Sequence, residues 1–192
     1  MKIIFLFFLI LLSNLTFAKT ISEYEIYQKI TVYDMYFKNY SQKFFGEDFD
    51  WKLFKSQAIA ESNLDIYAKS KEGARGIMQI MPSTFEEISE KNPYIKGSLD
   101  DARYNIAAGI FYNKELYDFW KTKEDNERIK FMLASYNAGK GNIIKAQKIA
   151  LKKGRNPHKW NSISLHLKDV TGKRSKETIN YLDKIKRIRQ EI

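Results

Sequence analysis

The 192-residue chain has no cysteine. That excludes disulfides, thiolate metal sites and a cysteine nucleophile. It also excludes lipid anchoring of the lipoprotein type, which needs a Cys. Histidine is almost as scarce, with only His158 and His166 and no His-Glu-x-x-His pattern. A zinc hydrolase and a Ser-His-Asp triad are both disfavoured, and both histidines read as structural or solvent-facing. No metal and no cofactor are expected. The chain also lacks internal repeats and low-complexity segments. One apolar run stands out, over residues 3–12, preceded by Lys2. It has the length of a signal-peptide core and is short for a membrane span. Ser13, Asn14 and Thr16 loosen the chain after this run, and Ala18 offers a small residue before a cut at Lys19. Residues 1–18 are expected to be a removed signal peptide, with an uncleaved anchor as the alternative. The protein is then exported, to the periplasm or cell envelope.

Cleavage leaves 174 residues, enough for one domain with a real core. The formal net charge is +10, of which the leader carries only Lys2. A basic exported protein favours anionic partners. Nucleic acid is discounted because export removes the chain from the cytoplasm. The Lys and Arg are scattered, apart from Lys184, Lys186, Arg187 and Arg189, which read as the solvated face of a terminal helix.

Residues 58–82, AIAESNLDIYAKSKEGARGIMQIMP, organise the rest. A helix is expected over 50–62, with Asp50 as N-cap and Asn63 ending it. Phe54, Ala58 and Glu61 fall at i, i+4 and i+7 on one face. Glu61 therefore sits beside an apolar stripe in the last turn. The negative end of the helix dipole and partial burial both raise its pKa. A rise from ~4.3 to ~6 corresponds to roughly 2 kcal/mol and keeps a useful fraction protonated near neutral pH. That is what a general acid requires. Residues 66–80 lack helical rhythm. Gly73 and Gly76 suit a loop, with or without a short hairpin, walling a cleft. Pro82 then fits a helix's first turn.

Elsewhere the pattern is helical. Residues 19–31 are expected to be an N-terminal tether, or a short first helix. Tyr33, Phe37, Tyr40 and Phe44 form a core stripe ended by Gly46. Asp100 and Asp101 open a helix reaching about Trp120, with Ala102, Ile106, Gly109, Asn113 and Leu116 on one face. Gly109 is expected to let another helix pack closely. Ile129, Met132, Leu133 and Tyr136 share a further face. Asn142 is expected to cap a helix closed by Gly154. A short helix over 160–167 and a last one from Ser175 complete a single domain over 32–192.

These motifs resemble the Slt-type lytic transglycosylases, whose catalytic domain is lysozyme-like. The family pattern places Glu-Ser at a helix end, a Ser nine residues after the Glu, a Gly-x-x-Gly loop and Met-Gln-x-Met-Pro. The chain has Glu61-Ser62, Ser70, Gly73 to Gly76, and Met78-Gln79-Ile80-Met81-Pro82. Asn105 with Gly109 is similar to the family's Asn-x-x-x-Gly. Ala134 to Gly139 is similar to Ala-x-Tyr-Asn-x-Gly, and Glu177 to Tyr181 to Glu-Thr-x-x-Tyr. The resemblance spans 51–185 and is nearest to the branch of the membrane-bound transglycosylase F catalytic domain. It implies a mainly α, lysozyme-like α+β fold. It also implies cleavage of the MurNAc–GlcNAc β-1,4 bond of peptidoglycan without water, leaving 1,6-anhydro-MurNAc ends. Glu61 would be acid and then base. Ser70, Gln79 and Met81 would line one wall of the cleft, Tyr136 and Asn137 the other, with Glu177 binding sugar or orienting the region of Tyr136. Peptidoglycan strands are the expected partner and a monomer the expected state. The size and domain plan are compatible with service to an envelope-spanning secretion or conjugation machine.

Most glycosidases use two carboxylates. Asp65, Glu72, Asp48 and Asp50 are the candidates near Glu61, and none is convincing by position. A lysozyme-type muramidase and a non-enzymatic wall-binding protein stay open as alternatives.

Overall fold

The computed structural model describes residues 23–121 and 124–192. The expected signal peptide, and the start of the expected tether, lie outside the described residues. From residue 23 that tether packs onto the domain. Tyr24 is buried, and a one-turn helix, α1 (Ile26–Lys29), comes next. Its end is fastened by the buried Lys55, whose ammonium donates to the Ile30 carbonyl (2.8 Å) and pairs with Asp34 (2.8 Å).

The aromatic stripe forms α2 (Asp34–Phe45). Phe37 and Tyr40 are buried, and Gly46 ends the helix at φ 100°, a backbone angle open mainly to glycine. Next comes α3 (Lys52–Ser62). Asp50 accepts from the Lys52 amide (3.0 Å), so it caps the first turn while the helix itself begins two residues later than expected. Leu53, Phe54, Ala58 and Ile59 bury one side of α3. Each large apolar side chain fully buried there contributes about 1.5–3 kcal/mol.

The remaining helices are α4 (Pro82–Lys91), α5 (Ala102–Phe119), α6 (Asp125–Ala138), α7 (Lys140–Lys152), α8 (Trp160–Thr171) and α9 (Ser175–Glu191). A 3-10 turn, Gly172–Arg174, joins the last two. Among the described residues α2 packs on α5, α3 on α9, and α6 on α5, α7 and α9. Asp101 caps α5 by accepting from the Arg103 amide (2.8 Å). The expected stripe of α5 is inward, with Ile106, Gly109, Asn113 and Leu116 buried. Asn142 differs from expectation. It lies inside α7, and its side-chain amide donates back to the Ala138 carbonyl (2.8 Å), closing α6 rather than opening α7.

The connection from 63 to 81 is the one long non-helical stretch between α3 and α4. It holds two isolated antiparallel bridges, Lys69 with Arg75 and Arg75 with Ile80. Hairpin-like pairing is present, but no strand is formed among the described residues.

Candidate active site

Glu61 occupies the last turn of α3, as its spacing from Phe54 and Ala58 requires. The helix stops because Asn63 and Leu64 both take left-handed angles, φ 57° and 64°. That reversal exposes the helix end to the adjoining loop. Ser62 fastens the two by donating to the Ile77 carbonyl (2.8 Å).

The loop is shaped from behind by Asn105 of α5. Its side-chain oxygen accepts from the Met78 amide (2.8 Å), and its nitrogen donates to the Arg75 (2.9 Å) and Leu99 (3.1 Å) carbonyls. Gly76 makes room for this. A Cβ there would lie 2.4 Å from the Asn105 side chain, and φ is 76°. Gly109 serves the same packing. A Cβ on it would lie 2.7 Å from Met78, so it admits the loop and not another helix. Ser70 closes the tip, accepting from the Ala74 (3.1 Å) and Glu72 (3.2 Å) amides. Gln79, at φ 47°, turns its amide inward to the Gly76 (2.9 Å) and Ala68 (3.2 Å) carbonyls.

The result is a cleft of about 350 Å³. Glu61, Ser70, Gln79, Met81, Tyr136, Asn137 and Glu177 all line it. The fold thus brings together every residue expected to line the site; of the further carboxylates considered, Glu72 lines it and Asp48, Asp50 and Asp65 do not. A wider hollow of about 690 Å³ opens elsewhere, floored by Leu53, Leu133 and Ile185, and holds none of them.

Glu61 is half-buried, open to the cleft and enclosed elsewhere. Loss of hydration pushes its pKa up from 4.5 to about 7. Three groups of α9 act on it at i, i+4 and i+7 of that helix. The Tyr181 hydroxyl donates to its Oε1 (2.5 Å) and lowers the pKa. Lys184 lowers it through charge, and its ammonium donates to the Ala60 carbonyl (3.0 Å) at the end of α3. Glu177, on the cleft rim, raises it by like-charge repulsion. Tyr181 is itself buried, and burial with the Glu61 charge drives its phenol well above the ordinary value, so it stays a donor.

On the opposite wall the Tyr136 hydroxyl donates to the Met78 carbonyl (2.7 Å), tying α6 to the loop. Burial, then Glu61, pushes its phenol well above the usual range. Asn137 accepts from the Thr178 hydroxyl (2.8 Å), which ties α6 to α9. Tyr181 and Lys184 were not among the expected site residues. Tyr181 had a signal, since it closes the Glu-Thr-x-x-Tyr motif. Lys184 had none, and is part-buried against α3 rather than on a solvated face.

A family model, the transglycosylase SLT domain, matches residues 35–159. The chain belongs to the transglycosylase SLT domain family. Among curated relatives, membrane-bound lytic murein transglycosylase F of Desulfosudis oleivorans is 34% identical over 116 residues, 60% of this chain and 24% of that protein. The namesake from Pseudomonas fluorescens is 32% identical over 136 residues, 69% of this chain and 26% of that protein. The chain thus spans about a quarter of the length of these relatives. The 70 kDa soluble lytic transglycosylase of Escherichia coli aligns with a TM-score of 0.64 at 23% identity, over 84% of this chain and 24% of that one. Lytic transglycosylase Slt of Pseudomonas aeruginosa gives 0.64 at 20% identity, over 84% and 24%. These neighbours establish the shared fold, mainly α and without a sheet among the described residues. The SLT family match ends at residue 159, before α9. The helix that supplies Glu177, Tyr181 and Lys184 lies beyond it.

Proposed function

We propose that this SLT-domain protein is a peptidoglycan lytic transglycosylase in which Glu61 is both acid and base. The carrying observation is one largely enclosed carboxyl, with a pKa raised to about 7, lining the cleft. A group at that value is present in both forms near neutral pH, as a single acid–base residue requires. Protonated Glu61 gives its proton to the glycosidic oxygen between MurNAc and GlcNAc. The substrate's acetamido group stabilises the positive charge developing at the anomeric carbon. Ionised Glu61 then takes the proton of the MurNAc 6-hydroxyl. That oxygen bonds to the anomeric carbon and closes the 1,6-anhydro ring, with no water consumed. Tyr181 holds the carboxylate in place through both steps. Ser70, Gln79, Met81, Tyr136, Asn137 and Glu177 are proposed to line the sugar subsites.

The relatives' names, membrane-bound lytic murein transglycosylase, support the substrate and an envelope location. A removed signal peptide over 1–18, a monomeric state and service to a secretion or conjugation machine complete the proposal. Among the described residues no helix is long and apolar enough to cross a membrane.

Glu72 and Glu177 also line the cleft, which keeps a hydrolytic reading worth testing. Mass spectrometry of muropeptides released from purified peptidoglycan separates the two. Anhydro ends, absent with Glu61→Gln, support the transglycosylase. Reducing ends, heavier by one water, would replace it with a muramidase. No release by the wild-type chain would favour a wall-binding role.

A further inference from the structure

The cleft wall carries three acids, Glu61, Glu72 and Glu177, and one basic side chain among the described residues, Arg174. Arg174 is exposed and ends the 3-10 turn before α9. Among the described residues Arg174 is in no ion pair, although Glu177 is only three residues on. Its neighbours Lys173 and Lys176 are also exposed and likewise form no ion pair among the described residues. The turn that presents them is fixed. Ser175 donates to the Gly172 carbonyl (2.8 Å), Thr171 donates to the Leu167 carbonyl (3.0 Å), and Thr178 is bonded to Asn137 across the cleft.

An uncompensated guanidinium held by a rigid turn is a receptor for a planar anion, because its fork donates two parallel hydrogen bonds. A neutral glycan offers no such group. A muramyl unit does, either as the free lactyl carboxylate of a peptide-stripped strand or as a carboxylate of the stem peptide. Without a cation in the cleft, either would meet only the three acids. We propose that Arg174 binds a carboxylate borne by the muramyl unit and makes the cleft select muramyl glycan over uncharged amino-sugar polymers. This rests on the transglycosylase reading and names the feature of the substrate that the site selects. Lys173 and Lys176 add attraction at the rim without fixing geometry.

The test measures binding to the full chain carrying Glu61→Gln, so that turnover does not interfere. Three soluble tetrasaccharides serve as probes: peptide-bearing GlcNAc-MurNAc repeats, the same repeats stripped to lactyl acids, and a neutral GlcNAc tetramer. Adding Arg174→Gln should weaken at least one charged probe about tenfold, the low end of the range for one charge-assisted contact. The neutral tetramer should be unaffected, and Arg174→Lys should restore part of the loss. Loss on the stripped probe alone assigns the free lactyl carboxylate, loss on the peptide-bearing probe alone assigns the stem peptide, and loss on both means that Arg174 accepts either carboxylate. Equal loss on all three probes, no loss on any, or failure of the parent to bind either charged probe overturns the proposal. Product analysis of the wild-type chain reports separately on the transglycosylase reading.

Discussion

Replacing Tyr181 by Phe keeps the buried ring and removes one hydroxyl, the one that donates to Glu61. A hydrogen bond to a charged acceptor contributes about 1.5–3 kcal/mol and a neutral one about 1 kcal/mol. The Tyr181 hydroxyl serves both forms of Glu61 but favours the ionised one, by about 1 kcal/mol or somewhat more on those figures. At 1.36 kcal/mol for each tenfold change in ionisation, Glu61 should titrate about one pH unit higher than its present value of about 7. In the proposed route Glu61 must start protonated. Release of anhydro-muropeptides therefore falls as pH rises through its pKa, and in Tyr181→Phe that fall moves to higher pH. Carboxyl carbon NMR of Glu61 reads the titration directly, and product release against pH reads its consequence. A thermal melt checks that the ring still packs. An unmoved alkaline limb, or one moved to lower pH in a folded variant, would refute the assignment of Tyr181 as the group that holds the carboxylate.

Other expected outcomes use the same electrostatics or the packing around the loop. Lys184→Met should also move the alkaline limb of product release to higher pH, while Glu177→Gln should move it lower, since these two groups act on Glu61 with opposite signs. Glu61→Gln should abolish release but stabilise the fold at high pH. A native pKa of about 7 against an ordinary 4.5 means the folded chain holds the proton more tightly between those values, so stability falls as pH rises through that window. The variant escapes a penalty of up to about 3 kcal/mol that is complete above pH 7 and absent below 4.5, as denaturant melts at pH 4 and pH 8 would register. Asn105→Ala removes three hydrogen bonds to the loop and should cost about 2–4 kcal/mol, with the Met78 amide losing protection in hydrogen exchange. A Met78 amide as protected as in the parent would refute that role.

The parts of the site that sequence disclosed are those whose physics is local. Glu61 was legible because helix spacing and the Asn63 stop place it in a last turn beside an apolar face. The loop was legible because Gly73 and Gly76 break the rhythm between two helices. Two features were not. Gly109 was expected to admit a helix, and it admits Met78 of the loop, since small size says that something approaches and not what. Lys184 was expected to be solvated, because charge clusters on terminal helices usually are. Its bond to Ala60 spans 124 residues, and nothing in the spacing of α9 announces the end of α3 as its neighbour.

That distance has a consequence for how the acid is tuned. Burial within the cleft and the negative end of the α3 dipole push Glu61 toward its neutral form. Tyr181 and Lys184 of another helix draw it back toward the ionised form, and Glu177 on the same face of α9 partly offsets them. The docking of α9 on α3 therefore also sets the pKa of Glu61. Ile185 and Ile188, buried beside this stripe, hold α9 in place. A cavity there would loosen Tyr181 and Lys184 together, and Glu61 would move toward a permanently protonated acid. Such a carboxyl could still donate a proton but would seldom be ionised to act as the base. The fold thus couples core packing at its last helix to the proposed acid–base chemistry of Glu61, a third of the way along the chain. It does so through contacts about 120 residues apart.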